Sequence, residues 1–386
     1  MTRRDAQAAK PVAHDRMPPV ASLLMRLAPC ALRLLLRLAP CALCLAIWPA
    51  AAFDPVVPGH DMRFPRDAGA HPGHRIEWWY VTGHLDPADG GASLGFQVTF
   101  FRVRNPAAEG SASRFSPAQL LFAHAALADP AVGHLLHEQR SARGMAGLVE
   151  AAQAETDVRI DDWSLRSEDG VYNAHVAGDE MALDLVFRPT QAPLLEGERG
   201  FSRKSPDERH ASYYYSEPQL RVSGHVVAKG RTRQVSGVAW LDHEWSSELL
   251  VAEAAGWDWL GANMDGGAAL MAFRIRAKDG ATLWSSATWR DGDGRTATTF
   301  DPAAVAFAPR RTWRSPRTGT TYPVEMEVRV GDRTWRLAPL MDDQEMDARA
   351  STGTLYWEGA VRLQGSDGSR GRGYLELTGY AARLPF

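Results

Sequence analysis

Three ionisable side chains stand between two tryptophans in the run Trp240-Leu241-Asp242-His243-Glu244-Trp245. Indole walls exclude water from a titratable group and shift its pKa, which is how a carboxyl group keeps its proton near neutrality and serves as a general acid. On an extended strand Asp242 and Glu244 point one way and His243 the other, with Trp245 turned off by Ser246 and Ser247. The same residues suit a buried histidine and acid network that fixes a junction between two domains. A second set, Trp257-Asp258-Trp259 with Asn263 and Asp265, adds further acids, although Asp265 has the surroundings of a turn residue.

Other sets are weaker. A zinc site built on His71, His74 and Glu77 would need the spacing of a helical HExxH motif, which is absent, and Pro72-Gly73 forbids a regular helix there. The expectation is instead an ion pair of Glu77 with Arg75 at a strand entrance, histidines capping a loop, and no metal. His84 lies further along the same segment. Ser246 and Ser247 follow His243 closely, but no G-x-S-x-G elbow accompanies them, and no Gly-rich phosphate loop appears.

The elements that must carry these residues are strands. Alternation with period two dominates, turn residues recur every eight to fifteen positions, and long helices are hard to find. Strands fit residues 79–85 and 95–101 around a turn at 86–91, then 119–126, 158–167, 172–177, 181–188, 219–227 and 233–240. In the second half they fit 257–264, 269–276, 282–290, 322–330, 334–339, 354–364 and 371–378. Residues 138–154 are the best candidate for a helix or long loop. The segment Trp78-Trp79-Tyr80-Val81 returns as Trp257-Asp258-Trp259-Leu260, with Leu85 on Met264 and Asp86 on Asp265, so the chain reads as two copies of one β-unit about 180 residues apart. The boundary falls at 246–255, which gives domains at 53–250 and 251–386.

Residues 1–52 read as an export signal: Arg26, Arg33 and Arg37 precede an apolar run at 38–48 that ends in Ala50-Ala51-Ala52. The three cysteines, Cys30, Cys41 and Cys44, all lie there, so disulfide and thiol chemistry are excluded from the mature chain. The signal holds seven basic and two acidic residues, leaving 36 basic against 44 acidic in the mature part, a net charge of about −8 that argues against nucleic acid as a partner. Twelve of the thirteen tryptophans remain in the mature chain, enough to fill barrel interiors or to line a site for an apolar molecule. The residues nominated to line it are Trp78, Trp79, Tyr80, Trp240, Trp257 and Trp259.

Residues 75–85, 95–102, 238–245 and 373–380 together resemble the AttH/CrtC family, lipocalin-like proteins often labelled carotenoid 1,2-hydratase or predicted secreted hydrolase. The resemblance runs from about Asp61 to Tyr380. It implies an all-β chain of two tandem lipocalin-like (calycin) antiparallel barrels, without a cofactor. It also implies a hydrophobic lipid or isoprenoid ligand, with either hydration of an isoprenoid double bond or an exported role beside an ABC transporter; a secreted hydrolase is a third possibility. Carried over, a hydratase-type site places His243 and Trp245 in a His-x-Trp motif, and an acid at Asp265 where the family's Tyr two positions earlier is here Asn263. Hydration of an isolated alkene needs an acid, a π surface and a positioned water. Asp265 or Asp242 would be the acid, Trp245 and Trp257 the π surface, and His243 the group that orients water.

Exported protein should begin close to Phe53 and lie in the periplasm or medium. N-terminal sequencing that still reads residues from the 38–48 run would overturn this.

Overall fold

The structure, a computed structural model, describes residues 53–108, 111, 116–145 and 147–383. The export signal and its three cysteines lie outside the described residues. No described helix is long and apolar enough to cross a membrane.

Two antiparallel sheets account for the described chain, one of 13 strands and one of 10. The first forms a nearly closed barrel and the second a half-barrel, which is the expected two-barrel architecture. The first sheet begins with the strand Ile76–Pro87 and ends with Arg231–Ser246; the second begins with Ala254–Met264 and ends with Arg370–Leu377. Each opening strand pairs on one side with the strand that follows it and on the other with the closing strand of its own sheet. Trp78 and Trp257 therefore occupy topologically equivalent strands, as the internal repeat requires.

Residues 138–154 are not a helix or a long loop. They belong mostly to a strand, Leu135–Arg143, paired along its length with Gln119–Ala128, and to the short strand Val149–Ala151. The polar run His137 to Arg143 conceals the strand because it forms a sheet edge, where neither face needs a full apolar set; pairing with a buried neighbour decided its conformation.

Both faces of the first opening strand are buried. Trp79, Val81 and Leu85 enter the core of the first barrel with Phe96, Val98 and Phe100. Tyr80 points the other way, into a cluster with Trp259, Met271, Phe273 and Tyr374 from the second sheet. Polar ties reinforce this contact: His84 Nε2 lies 3.0 Å from the carbonyl of Gly373, Arg372 donates to Asp86 at 2.6 Å, and Asn263 Nδ2 donates to the carbonyl of Ala239 at 3.0 Å.

Gly83 lies where the first opening and closing strands approach each other closely. A Cβ there would sit 2.4 Å from the carbonyl oxygen of Val238 and 2.9 Å from the Cα of Ala239. Backbone cannot yield as a side-chain tip does, so Gly83→Ala should destabilise the fold by about 1–3 kcal/mol. Denaturant unfolding at unchanged m-value measures it; an unchanged midpoint would contradict the geometry.

Candidate functional site

Register on the first closing strand sends the Asp242 to Trp245 run to two different places. Trp79 pairs with His243 and Glu77 with Trp245, facing the barrel interior, while Tyr80 pairs with Asp242 and Trp78 with Glu244, facing the second sheet. Trp245 thus shares the face of His243 rather than turning away, because regular pairing continues through Ser246.

The interior set is a network around Glu77. Its carboxylate, fully buried, accepts hydrogen bonds from Arg102 Nε at 2.7 Å, the His71 backbone N–H at 2.8 Å and the His243 ring at 2.9 Å, with His71 Nδ1 2.7 Å from Oε1. Arg102 and not Arg75 is the partner, since Arg102 stands directly opposite Glu77 on the next strand. Burial pushes Glu77 up, but the hydrogen bonds of His243 and His71 and the Arg102 charge hold it well below the ordinary carboxylate range. Burial lowers His243 despite Glu77, so its ring stays neutral. Trp245 stacks on His71 with centroids 3.8 Å apart, and Trp79 stacks on His243 at 4.7 Å. His71, Glu77 and His243 have ligand atoms within 4.8 Å of one another, so the third member of any metal cluster is His243 and not His74. His74 stays aside, its pKa lowered to about 4 by burial. Arg102, His71 and His243 together meet both oxygens of Glu77 and tie three segments of the chain to it.

The opposite face lines a cavity of about 490 Å³ between the sheets, a size suited to a small organic ligand. Trp78, Tyr80, Trp257, Trp259 and Phe273 wall it, together with Tyr214 from Ala211–Ala228. Of the six nominated aromatics, Trp78, Tyr80, Trp257 and Trp259 reach it; Trp79 belongs to the barrel core, and Trp240 supports Asp242 from behind. Five carboxyl groups line the same space: Asp242, Glu244, Glu358 and Glu376 from the strands, and Glu248 from the segment just after Ser246. Asp265 sits in a turn beside a separate open cleft with Asp86 and Arg372, so the two acids of the sequence reading lie in different places.

Burial pushes Asp242 well above the usual range, against hydrogen bonds from Ser216 and Trp240 at 2.6 and 2.7 Å. Ser216 Oγ also lies 2.9 Å from Glu196 Oε1. One hydroxyl carries one proton, so a serine between two carboxyl groups implies that one carboxyl is itself a donor. Glu196, raised to about 7 by burial, is suited to that part. Glu244 is held by the Lys204 ammonium at 2.8 Å and by Ser212. Glu358 and Glu376 stand opposite each other on adjacent strands; burial and mutual repulsion push Glu358 well up, and burial brings Glu376 to about 8. At the rim, Ser351 Oγ lies 2.8 Å from His124 Nε2, whose other nitrogen meets Tyr356.

Sequence reasoning missed Glu358, Glu376 and Lys204. Glu376 sits between Leu375 and Leu377, which reads as an ordinary solvent-facing position of an alternating strand. The alternation was the only available signal, and it gives a face without saying what covers it.

Folded Asp242, Glu358, Glu376 and Glu196 keep protons that ionise near 4 to 4.5 in an unfolded chain. Their contribution to stability is full below that pH and is lost as pH rises through the folded values, about 7 for Glu196 and about 8 for Glu376. Glu77 acts oppositely and weakens the fold only in acid. The melting temperature should therefore fall between about pH 7 and pH 8, above the range in which the buried histidines such as His74 oppose it, and fall less steeply in Glu376→Gln. A flat profile in the parent protein would show that these carboxyl groups are ionised.

The family model described as AttH-like matches residues 55–380. An AttH protein from Nitrosomonas europaea has a similar structure, with 50% sequence identity, a TM-score of 0.79, and coverage of 85% of this chain and 100% of that one. Kievitone hydratase from Nectria haematococca shares the fold at 14% identity and a TM-score of 0.63, covering 86% of this chain and 96% of its own. No curated protein matches the chain.

Proposed function

The chain belongs to the AttH-like family, and from that premise we propose that it takes an apolar molecule of the lipid or isoprenoid class into the cavity between its sheets and adds water across a carbon–carbon double bond held there. One observation carries this reading. Asp242, a carboxyl group kept protonated by burial, faces a tryptophan-walled cavity together with the ion-paired Glu244. Kievitone hydratase, which has the same fold, is by name a hydratase.

In this mechanism Asp242 gives its proton to the less substituted alkene carbon. The resulting tertiary cation lies against the indole faces of Trp78, Trp257 and Trp259. Water attacks the cation and loses a proton to Glu244, a proton passed from Glu196 through Ser216 restores Asp242, and exchange with solvent then takes the proton from Glu244 and returns one to Glu196, so that every group regains its starting state. His243 and Trp245 act from the far side of the strand, holding it against Glu77 and His71. In this reading the chain acts outside the cytoplasmic membrane after export, with an ABC transporter as the partner that the resemblance implies. A hydrolase reading has one observation in its favour, the contact of Ser351 with His124 at the cavity rim.

Incubation with an acyclic isoprenoid alkene in heavy-oxygen water tests the proposal, because hydration leaves the label on carbon. Asp242→Asn should cut turnover by about 10²-fold or more and preserve binding, whereas His243→Ala should lower the melting temperature and leave binding to the tryptophans. Binding without label incorporation would leave a carrier protein. Cleavage of an acyl ester that depends on Ser351 would favour the hydrolase.

A further inference from the structure

We propose that the ligand of the cavity between the sheets carries a cationic nitrogen, a protonated amine or quaternary ammonium, joined to an apolar chain. The inference rests on reading that cavity as the ligand site and goes further by fixing the ligand's charge.

The cavity already shows how it holds an ammonium group. Lys204 Nζ lies 2.8 Å from Glu244 and stands over two aromatic rings, 5.1 Å from the Tyr214 centroid and 4.4 Å from that of Phe273. A carboxylate and two ring faces around one cation is the arrangement by which proteins select ammonium ligands.

The Glu358 and Glu376 pair offers the same components. The two residues are direct cross-strand partners on Thr354–Gly365 and Arg370–Leu377, where like charges repel. Among the described residues neither forms an ion pair with a lysine or arginine. Glu376 is restrained by Trp257 and Glu358 by the Tyr80 hydroxyl, but Glu358, 3% exposed, keeps its Oε2 buried without a hydrogen-bond partner. A buried carboxyl oxygen without a partner is costly, and a cationic ligand would satisfy it. Tyr80, Trp257 and Trp259 wall this end of the space, so ring faces and carboxyl groups converge as they do around Lys204. A positive headgroup entering here lets one carboxyl of the pair ionise against it, whereas an anionic headgroup meets a space lined by five carboxyl groups. The apolar chain then follows the remaining tryptophan and phenylalanine surface.

Three probes with one twelve-carbon chain separate the possibilities: dodecyltrimethylammonium, dodecanol and dodecyl sulfate, each titrated below its micelle concentration into the full mature protein by calorimetry. The ammonium probe should bind about tenfold or more tighter than dodecanol, and dodecyl sulfate should bind weakest. In Glu358→Gln/Glu376→Gln, shown by circular dichroism to remain folded, the advantage of the ammonium should disappear while dodecanol binds as before. Should the double variant fail to fold, the ranking of the three probes on the parent protein decides alone. Equal affinity for dodecanol and the ammonium probe would overturn the cationic ligand and leave the apolar cavity standing. Binding of none of the three would overturn both.

Discussion

A carboxylate sealed from water must be met by donors, and Glu77 is met by donors from three separate parts of the chain. His71 lies before the opening strand of the first sheet, Arg102 on the next strand and His243 on the closing strand. Removing one side of such a buried pair typically costs about 3–5 kcal/mol, because the other charge is left without compensation. The interaction therefore fixes the register at which the barrel's first and last strands meet. The second sheet repeats the device with Asp258, buried and held by Arg274 at 2.6 Å and Arg276 at 2.8 Å from its neighbouring strand. In both sheets a carboxylate on the opening strand is clamped by arginine on the strand that follows.

That clamp decides which way every neighbouring side chain points. With Glu77 turned inward, Trp79 and His243 stack in the barrel, and Trp78, Tyr80, Asp242 and Glu244 must face the other sheet. Duplication then brings a similar strand to the same seam, so Trp78 and Tyr80 of one sheet confront Trp257 and Trp259 of the other, with Tyr80 and Trp259 in edge contact at 5.5 Å. Each closing strand sets a glutamate beside an aromatic of its opening strand, Glu244 by Trp78 and Glu376 by Trp259. The cavity thus combines aromatic walls from the opening strands with acids supplied largely by the strands beside them.

The polar groups of the two halves differ where the aromatics agree. The first sheet supplies Asp242 with a relay through Ser216 to Glu196, and the Glu244 to Lys204 ion pair. The second supplies two carboxyl groups that repel each other. Common packing and divergent chemistry follow from the same constraint: both copies need large flat fillers at the seam, whereas only the exposed rim of each filler meets a ligand.

The strand pattern, the repeat of the Trp motif and the acid between tryptophans were legible in the sequence, because side-chain alternation and turn chemistry are local properties that residue order records directly. The edge strand Leu135–Arg143 was not, since its polar residues acquire extended structure only by pairing with Gln119–Ala128. The partner of Glu77 was likewise hidden, as Arg102 lies 25 residues away and only strand pairing brings it opposite. The largest gap concerns the site itself. Alternation places Asp242 and His243 on opposite faces, but a strand covered on one side and a strand covered on both look alike in residue order. Only the docking of the second sheet turned the outer face into a cavity, brought Glu358 and Glu376 to it from more than a hundred residues away, and left Asp265 in a turn outside. Local order fixes which residues share a face; burial, which sets their protonation and so their chemistry, is a property of the packed tertiary structure.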